Sequence, residues 1–256
     1  MTSLEQSLKR TFIRDLQPSL EEPVLLRGWI YRLRELSKVT FIVLRDCTGE
    51  IQCVVASDSL RAMSLKLEEP IEIKGKARTD ARAHAGFEID VMELSVLNSV
   101  AHPLPFNASS NLSEIGAETL LNHRPLALRN ESVGDIFRVQ AAILQYFRQF
   151  LRSHHFTEII TSKLVSSGTE GGTNLFEVKY FDRSVYLAQS PQFYKENGVA
   201  GLERVFETGH VYRAEPHASS RHLTEYYSLD LELGFIEASE EVIQLERELL
   251  TYYSGN

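Results

Sequence analysis

The sequence predicts an α+β chain of two domains, a five-stranded β-barrel followed by a domain built on an antiparallel sheet. Three stretches carry that prediction. Residues 24–98 read as strand, strand, strand, helix, strand, strand. Residues 133–155 place Ile136, Val139, Ile143, Tyr146, Phe147 and Phe150 at helical spacing. Residues 204–235 read as two strands joined by a charged loop. In the second arm Leu229, Leu231, Leu233 and Phe235 alternate with Tyr226, Ser228, Asp230 and Glu232, giving a core face and a working face.

Composition limits the function classes. A length of 256 residues leaves room for two ordinary domains, and 43% hydrophobic residues suffice for packed cores. The net charge of -8 argues against indiscriminate coating of nucleic acid. Between positions 24 and 45, however, five basic residues (Arg27, Arg32, Arg34, Lys38, Arg45) face one acid, Glu35, so a local basic patch is available to RNA. Cys47 and Cys53 fit no zinc or CxxC spacing and read as cytosolic free thiols. No apolar run is long enough for a bilayer and the N-terminus lacks an apolar signal core. The expected location is the cytoplasm, with no membrane partner.

In chain order, residues 1–20 suggest a short helix presenting Leu4, Leu8 and Phe12, an appendage at the barrel's edge. The barrel strands are expected at 24–34, 40–45, 51–55, 71–78 and 87–97, with a hairpin turn at 46–50 and a helix near 59–67. Five strands with a helix after the third is the layout of an OB-fold, whose first strands commonly bind single-stranded nucleic acid. Phe41 fits either barrel core or a stacking surface, and the Arg27, Arg32, Arg34 series fits either a solvated strand face or an RNA contact. Residues 99–132, turn-rich and polar, read as a hinge with a short helix. The helix at 133–155 is followed by a strand, TEIITSKL. Its apolar stripe by itself suits plain core. Gly171 and Gly172 make a mobile loop plausible, with Glu170 at its head. On the hairpin, Arg213 and Arg221 can fork onto phosphate oxygens, Glu215 can accept from an amino group, and Tyr226 can stack on a base.

The run YRAEPHASSRHLTEYYSLDLE resembles motif 2 of the class II aminoacyl-tRNA synthetases, in the form found in archaeal and eukaryotic aspartyl-tRNA synthetases. GWIYRLRELSKVTFIVLRDCTGEIQCVV is similar to the anticodon-binding OB domain of the aspartyl, asparaginyl and lysyl enzymes, and QSPQFYKE to the aspartyl amino-acid pocket. The resemblance implies an N-terminal OB-fold (residues 1–98), a hinge (99–132) and a partial class II catalytic domain (133–256). It implies ATP-dependent activation of aspartate to aspartyl-adenylate and transfer to tRNA.

Residue by residue, it gives Arg213 the α-phosphate and substrate carboxylate, as the catalytic group. It puts Glu215 and Tyr226 at the adenine and Arg221 with His222 at the outer phosphates. It places Glu170, Ser190, Gln192, Lys195, Arg213 and Asp230 around aspartate, and Arg27, Phe41 and Gln52 at the anticodon. Lysine at 195 suits a side-chain carboxylate better than an amide. Helix plus strand is similar to motif 1, implying a homodimer, although Ser162 stands where the family carries proline. Nothing after motif 2 resembles motif 3 or the acidic Mg2+ ligands before it. No metal site is therefore expected in this chain, which is expected to be an incomplete catalytic unit. The alternative is a non-catalytic paralogue that binds RNA through its OB-fold.

Overall fold

A computed structural model describes residues 8–19, 22–60, 63–169, 174–216, 219 and 222–255. The chain divides into two compact units, Met1–Asp135 and Ile136–Asn256.

In the first unit, β1 (Val24–Glu35), β2 (Val39–Arg45), β3 (Glu50–Ala56), β4 (Pro70–Thr79) and β5 (Phe87–Val96) close into a barrel in the order β1-β2-β3-β5-β4. Alternation makes the barrel. Leu26, Ile30, Ile42, Leu44, Cys53, Ile71, Ile73 and Ile89 turn inward and are buried, and their removal from water supplies its main driving force. The walls come close at two glycines. A Cβ on Gly28 would lie 2.4 Å from the Arg45 carbonyl oxygen, and one on Gly75 would lie 2.5 Å from that of Asp90.

The hairpin turn after β2 is built by Asp46, whose Oδ1 accepts from Thr48 N at 2.6 Å and Gly49 N at 3.2 Å. Its Oδ2 accepts from Ile13 N at 2.9 Å. The predicted N-terminal helix is corrected over residues 8–19. Leu4 lies outside the described residues, and among the described residues of this segment the helical structure is a 3-10 turn at Ile13–Asp15. Ile13 and Leu16 join the barrel core, so this segment is part of the core and no mere appendage. The helix after β3, α1 (Ser57–Leu60), is shorter than predicted, and residues 63–66 carry no regular structure.

Beyond β5 come a 3-10 turn (Leu112–Glu114), α2 (Ala117–Asn122) and α3 (Arg124–Ala127). Both ends of this stretch are fastened to the barrel. Fully buried Glu69 accepts from Ser99 Oγ at 2.9 Å and Val100 N at 3.2 Å. Arg129 donates to Glu68 Oε2 at 2.9 Å and lies 4.7 Å over the Trp29 ring.

The second unit contains most of α4 (Glu131–Ser153), then β6 (Thr157–Glu158), β7 (Leu164–Val165), β8 (Glu177–Tyr180), β9 (Arg183–Leu187), α5 (Gln192–Leu202), β10 (Arg204–Tyr212), β11 (Glu225–Leu233) and α6 (Ser239–Gly255). One sheet runs β11-β10-β6, with β10 and β11 antiparallel; the other runs β7-β9-β8. The segment expected as one strand, TEIITSKL, is divided into β6 and β7, with residues 159–163 between them. The core gathers Phe147, Phe150 and Leu151 of α4, Phe156, Phe206 of β10, and Leu245 and Leu249 of α6, with Leu231 and Leu233 packed against it. The helical stripe splits. Its C-terminal half is core, whereas Ile136, Val139 and Ile143 are exposed. Phe235 leaves the predicted core face: it follows the strand at φ 56° and is 91% exposed.

Candidate functional sites on the barrel and the hairpin

On the barrel's outer face, strand register lines up two cross-strand rows. Arg34 opposes Phe41, which opposes Val54; Arg32 opposes Val43, which opposes Gln52. Phe41 therefore lies outside the core, half-buried, in a cavity of about 800 Å³ that also takes in Arg32, Arg34, Gln52, Arg78 and Glu88. Arg27 is not among these. It pairs with Glu72 of β4 at 2.7 Å.

A bulge between Ile30 and Arg32 resets the alternation, which turns Arg32 and Arg34 outward beside Phe41. The sequence offers these two arginines, with Arg27, as a series suited to a solvated strand face or an RNA contact, and the family resemblance singles out Arg27 of the three. Glu88, buried among them, accepts from Gln52 Nε2 at 2.7 Å and from Arg78 Nη2 at 2.5 Å. That bond raises the Arg78 pKa. At the rim, Arg82 hydrogen bonds hold the Asp80 carboxyl down to about 2. In an adjoining cavity of about 390 Å³, burial raises the Glu50 pKa against the opposing pull of Arg32 and Arg45.

In the second unit the working face of the hairpin carries Tyr226, Ser228, Asp230 and Glu232, with Asp230 opposite Glu207. Lys195, from the first turns of α5, is 6% exposed. Its Nζ lies 3.3 Å from Glu232 Oε2 and 3.6 Å from Asp230 Oδ1, and donates to the Leu231 carbonyl at 3.4 Å. Gln192 joins this group, its Nε2 donating to Glu232 Oε2 at 3.4 Å and to Glu196 Oε1 at 3.0 Å. The Ser190 hydroxyl accepts from Gln192 N and is paired with Thr169 Oγ1, each at 3.3 Å.

The Arg213 guanidinium lies 5.9 Å from the Tyr226 ring centre, and its backbone N–H donates to the Thr224 carbonyl at 2.9 Å. Glu215, half-buried, follows two residues later, and His222 Nδ1 pairs with Ser219 Oγ at 2.7 Å. Glu170 and Arg221 lie outside the described residues.

On the same face, opposite Asp230, Glu207 is 3% exposed and accepts from Lys163 Nζ at 2.9 Å, Thr161 N at 3.1 Å and Thr161 Oγ1 at 2.7 Å. It fastens the segment after β6 to the hairpin, a role that no motif in the sequence signals. Ser162, at the position of the family proline, donates its hydroxyl to the Leu164 carbonyl at 2.9 Å.

A closed five-stranded barrel followed by an antiparallel hairpin that carries Arg213 and Tyr226, with Lys195 of α5 buried against it, is the arrangement of a class II tRNA synthetase. Residues 116–255 match the family model "tRNA synthetases class II (D, K and N)" and residues 24–97 match "OB-fold nucleic acid binding domain". The chain belongs to the class II (D, K and N) tRNA synthetase family.

Among its relatives is the Aspartate–tRNA(Asp/Asn) ligase of Deinococcus radiodurans, 43% identical over 243 residues, which cover 95% of this chain and 55% of that protein. The enzyme of the same name from Aeropyrum pernix is 45% identical over 247 residues, 92% of this chain and 55% of that one. The chain thus spans about half the length of the curated relatives it matches. The asparaginyl-tRNA synthetase of Pyrococcus horikoshii complexed with asparaginyl-adenylate superposes with a TM-score of 0.88 at 32% identity, covering 96% of this chain and 57% of that one.

Among the described residues no helix is long and apolar enough to cross a membrane, and no cluster of three or more His, Cys, Asp or Glu side chains is arranged to hold a metal ion. Class II synthetases use ATP and Mg2+.

Proposed function

We propose that this chain supplies the anticodon-reading barrel and the motif 1 and motif 2 part of an aspartate–tRNA ligase, acting in the cytoplasm as a homodimer. The supporting observation is Lys195. The buried ammonium of Lys195 in α5 lies against the hairpin's working face beside Glu232 and Asp230, and it offers the side-chain carboxylate of aspartate a charge pair that the neutral amide of asparagine does not form. Asp230 receives the substrate's amino group, with Ser190, Gln192 and Glu170 completing the amino-acid site.

In the reaction, an oxygen of the aspartate α-carboxylate bonds to the α-phosphorus of ATP as the bond to pyrophosphate breaks. The aspartyl group then passes to a ribose hydroxyl of the tRNA. Two anions meet in the first step, so positioning and electrostatic stabilisation supply the acceleration. Arg213 neutralises charge at the α-phosphate, Tyr226 and Glu215 hold the adenine, and His222 with Arg221 holds the outer phosphates. On the barrel, Phe41 stacks on a base, Gln52 reads its edge, and Arg32 and Arg34 hold the RNA backbone. Arg27, paired with Glu72, is a peripheral contact.

The exposed Ile136, Val139 and Ile143 of α4, with Ile160 94% exposed, give the apolar face that a dimer would cover. The domains follow as residues 1–98 for RNA, 99–132 for the connection and 133–256 for catalysis. In the natural gene product that contains this chain, Arg213→Ala should abolish aspartate-dependent pyrophosphate exchange while leaving tRNA binding intact. Unchanged exchange would overturn the assignment. The barrel, closed around its own core, also supports RNA binding without catalysis; tRNA binding by a natural protein silent in exchange would select that reading.

A further inference from the structure

At the loop end of the hairpin, the side turned away from the working face carries His210 and Tyr212 of β10 against Tyr227 and Glu225 of β11, the last rungs of the ladder on that side. Their contacts converge on Glu225. His210 Nδ1 lies 3.1 Å from Glu225 Oε1, and the imidazole meets the Tyr227 ring nearly at right angles, 5.1 Å between centres. Tyr212, directly opposite Glu225, hydrogen bonds to the same carboxylate; burial, then the charge of Glu225 and that bond, raise the phenol's pKa. Tyr227 is anchored in turn, its hydroxyl donating to the Thr208 carbonyl at 3.3 Å.

The two sequence neighbours of Glu225 hold Arg213. The Thr224 carbonyl accepts the Arg213 backbone N–H at 2.9 Å, and the Tyr226 ring centre lies 5.9 Å from the guanidinium. Side chains alternate along a strand, so Glu225 points to the back where Tyr226 points to the front. Fixing the carboxylate behind therefore fixes the backbone from which the ring projects. The unit's core cluster reaches the hairpin at its other end, at Phe206, Leu231 and Leu233.

We infer that Glu225 is a positioning residue for the nucleotide: held from behind by His210 and Tyr212, it sets the spacing of Arg213 and the Tyr226 ring, and with it the binding of ATP. This rests on the reading of Arg213 and Tyr226 as the ATP site. Lys195, Asp230 and Glu232, the aspartate side, meet on rungs nearer the core and do not depend on this clamp. Its loss weakens ATP and spares aspartate.

The test is aspartate-dependent pyrophosphate exchange by the natural gene product that contains this chain, with the KM of each substrate measured separately. Glu225→Ala should raise the KM for ATP about 3- to 10-fold, the value of one hydrogen bond, at an unchanged KM for aspartate. His210→Ala removes a half-exposed partner and should raise it about 2- to 5-fold. Glu225→Gln keeps an acceptor oxygen for either partner and should recover most of the loss.

A merely structural part would lower the amount of active enzyme and leave both KM values alone. A fall in rate alone, an equal rise in both KM values, or an unchanged KM for ATP would overturn the proposal. Thermal melting shows whether Glu225→Ala is folded, and if it is not, His210→Ala at the exposed edge decides by the same criteria. Exchange that is absent from the unaltered protein, or indifferent to Arg213→Ala, would instead remove the ATP reading and the proposal with it.

Discussion

Lys195 of α5 and Glu232 of β11 face each other across 3.3 Å, and Asp230 stands 3.6 Å from the same ammonium. The lysine side chain is 7% exposed and the two carboxylates are more open, so one buried cation holds together the helix and the hairpin that carry the proposed amino-acid site. Lys195→Met should lower the unfolding free energy of the chain by about 1.5–3 kcal/mol, because two neighbouring carboxylates lose their common partner. Urea denaturation measures this. Aspartate-dependent activation should be lost as well, and a variant of unchanged stability would show that the lysine makes no net tie there.

Glu207→Ala should cost more, about 3–5 kcal/mol. The carboxylate is 4% exposed and meets Lys163 and Thr161 from a segment of little regular structure. Removing it strands the Lys163 ammonium in a partly buried site and leaves the backbone N–H of Thr161 unpaired. A loss below about 1 kcal/mol in chemical denaturation would mean that water replaces the carboxylate freely.

Phe41→Ala should weaken RNA binding by about 1–3 kcal/mol, the value of one stacked base. Because Phe41 lies outside the barrel's core cluster, the melting temperature should move little. A large drop in melting temperature with unchanged RNA affinity would return this ring to a packing role.

Asp80 sets a pH marker at the rim of the same cavity. Hydrogen bonds from Arg82 lower its carboxyl from the ordinary 3.8 to about 2. A depressed folded-state value means that the pair's contribution is complete above about 3.8 and disappears as pH falls through about 2. Carboxyl carbon shifts followed by NMR should place the Asp80 midpoint near 2 and return it toward 3.8 in Arg82→Ala. An unmoved midpoint would mean that the contact does not persist in solution.

Much of the fold was legible because alternation and helical spacing are local. The five barrel strands, α4 and both arms of the hairpin lie close to where the pattern puts them. What was not legible depends on register and on packing between distant residues. A single bulge between Ile30 and Arg32 decides which arginines stand beside Phe41, and no property of Arg27 itself reveals that Glu72 will claim it. Glu88 lies 36 positions from Gln52, and they meet only because the closed barrel sets β3 beside β5. Lys195 could be chosen from its run, QSPQFYKE, but its meeting with Glu232 requires α5 to lie against β11. Ile13 and Leu16 enter the barrel core because Asp46 binds the Ile13 amide, a contact no local pattern encodes.

The most direct test of the account is pyrophosphate exchange into ATP by the natural gene product that contains this chain, with aspartate, with asparagine and with neither. The account predicts exchange that requires aspartate and is not supported by asparagine. Exchange driven by asparagine in place of aspartate would contradict the role given to Lys195, and silence with both amino acids would contradict the ligase reading.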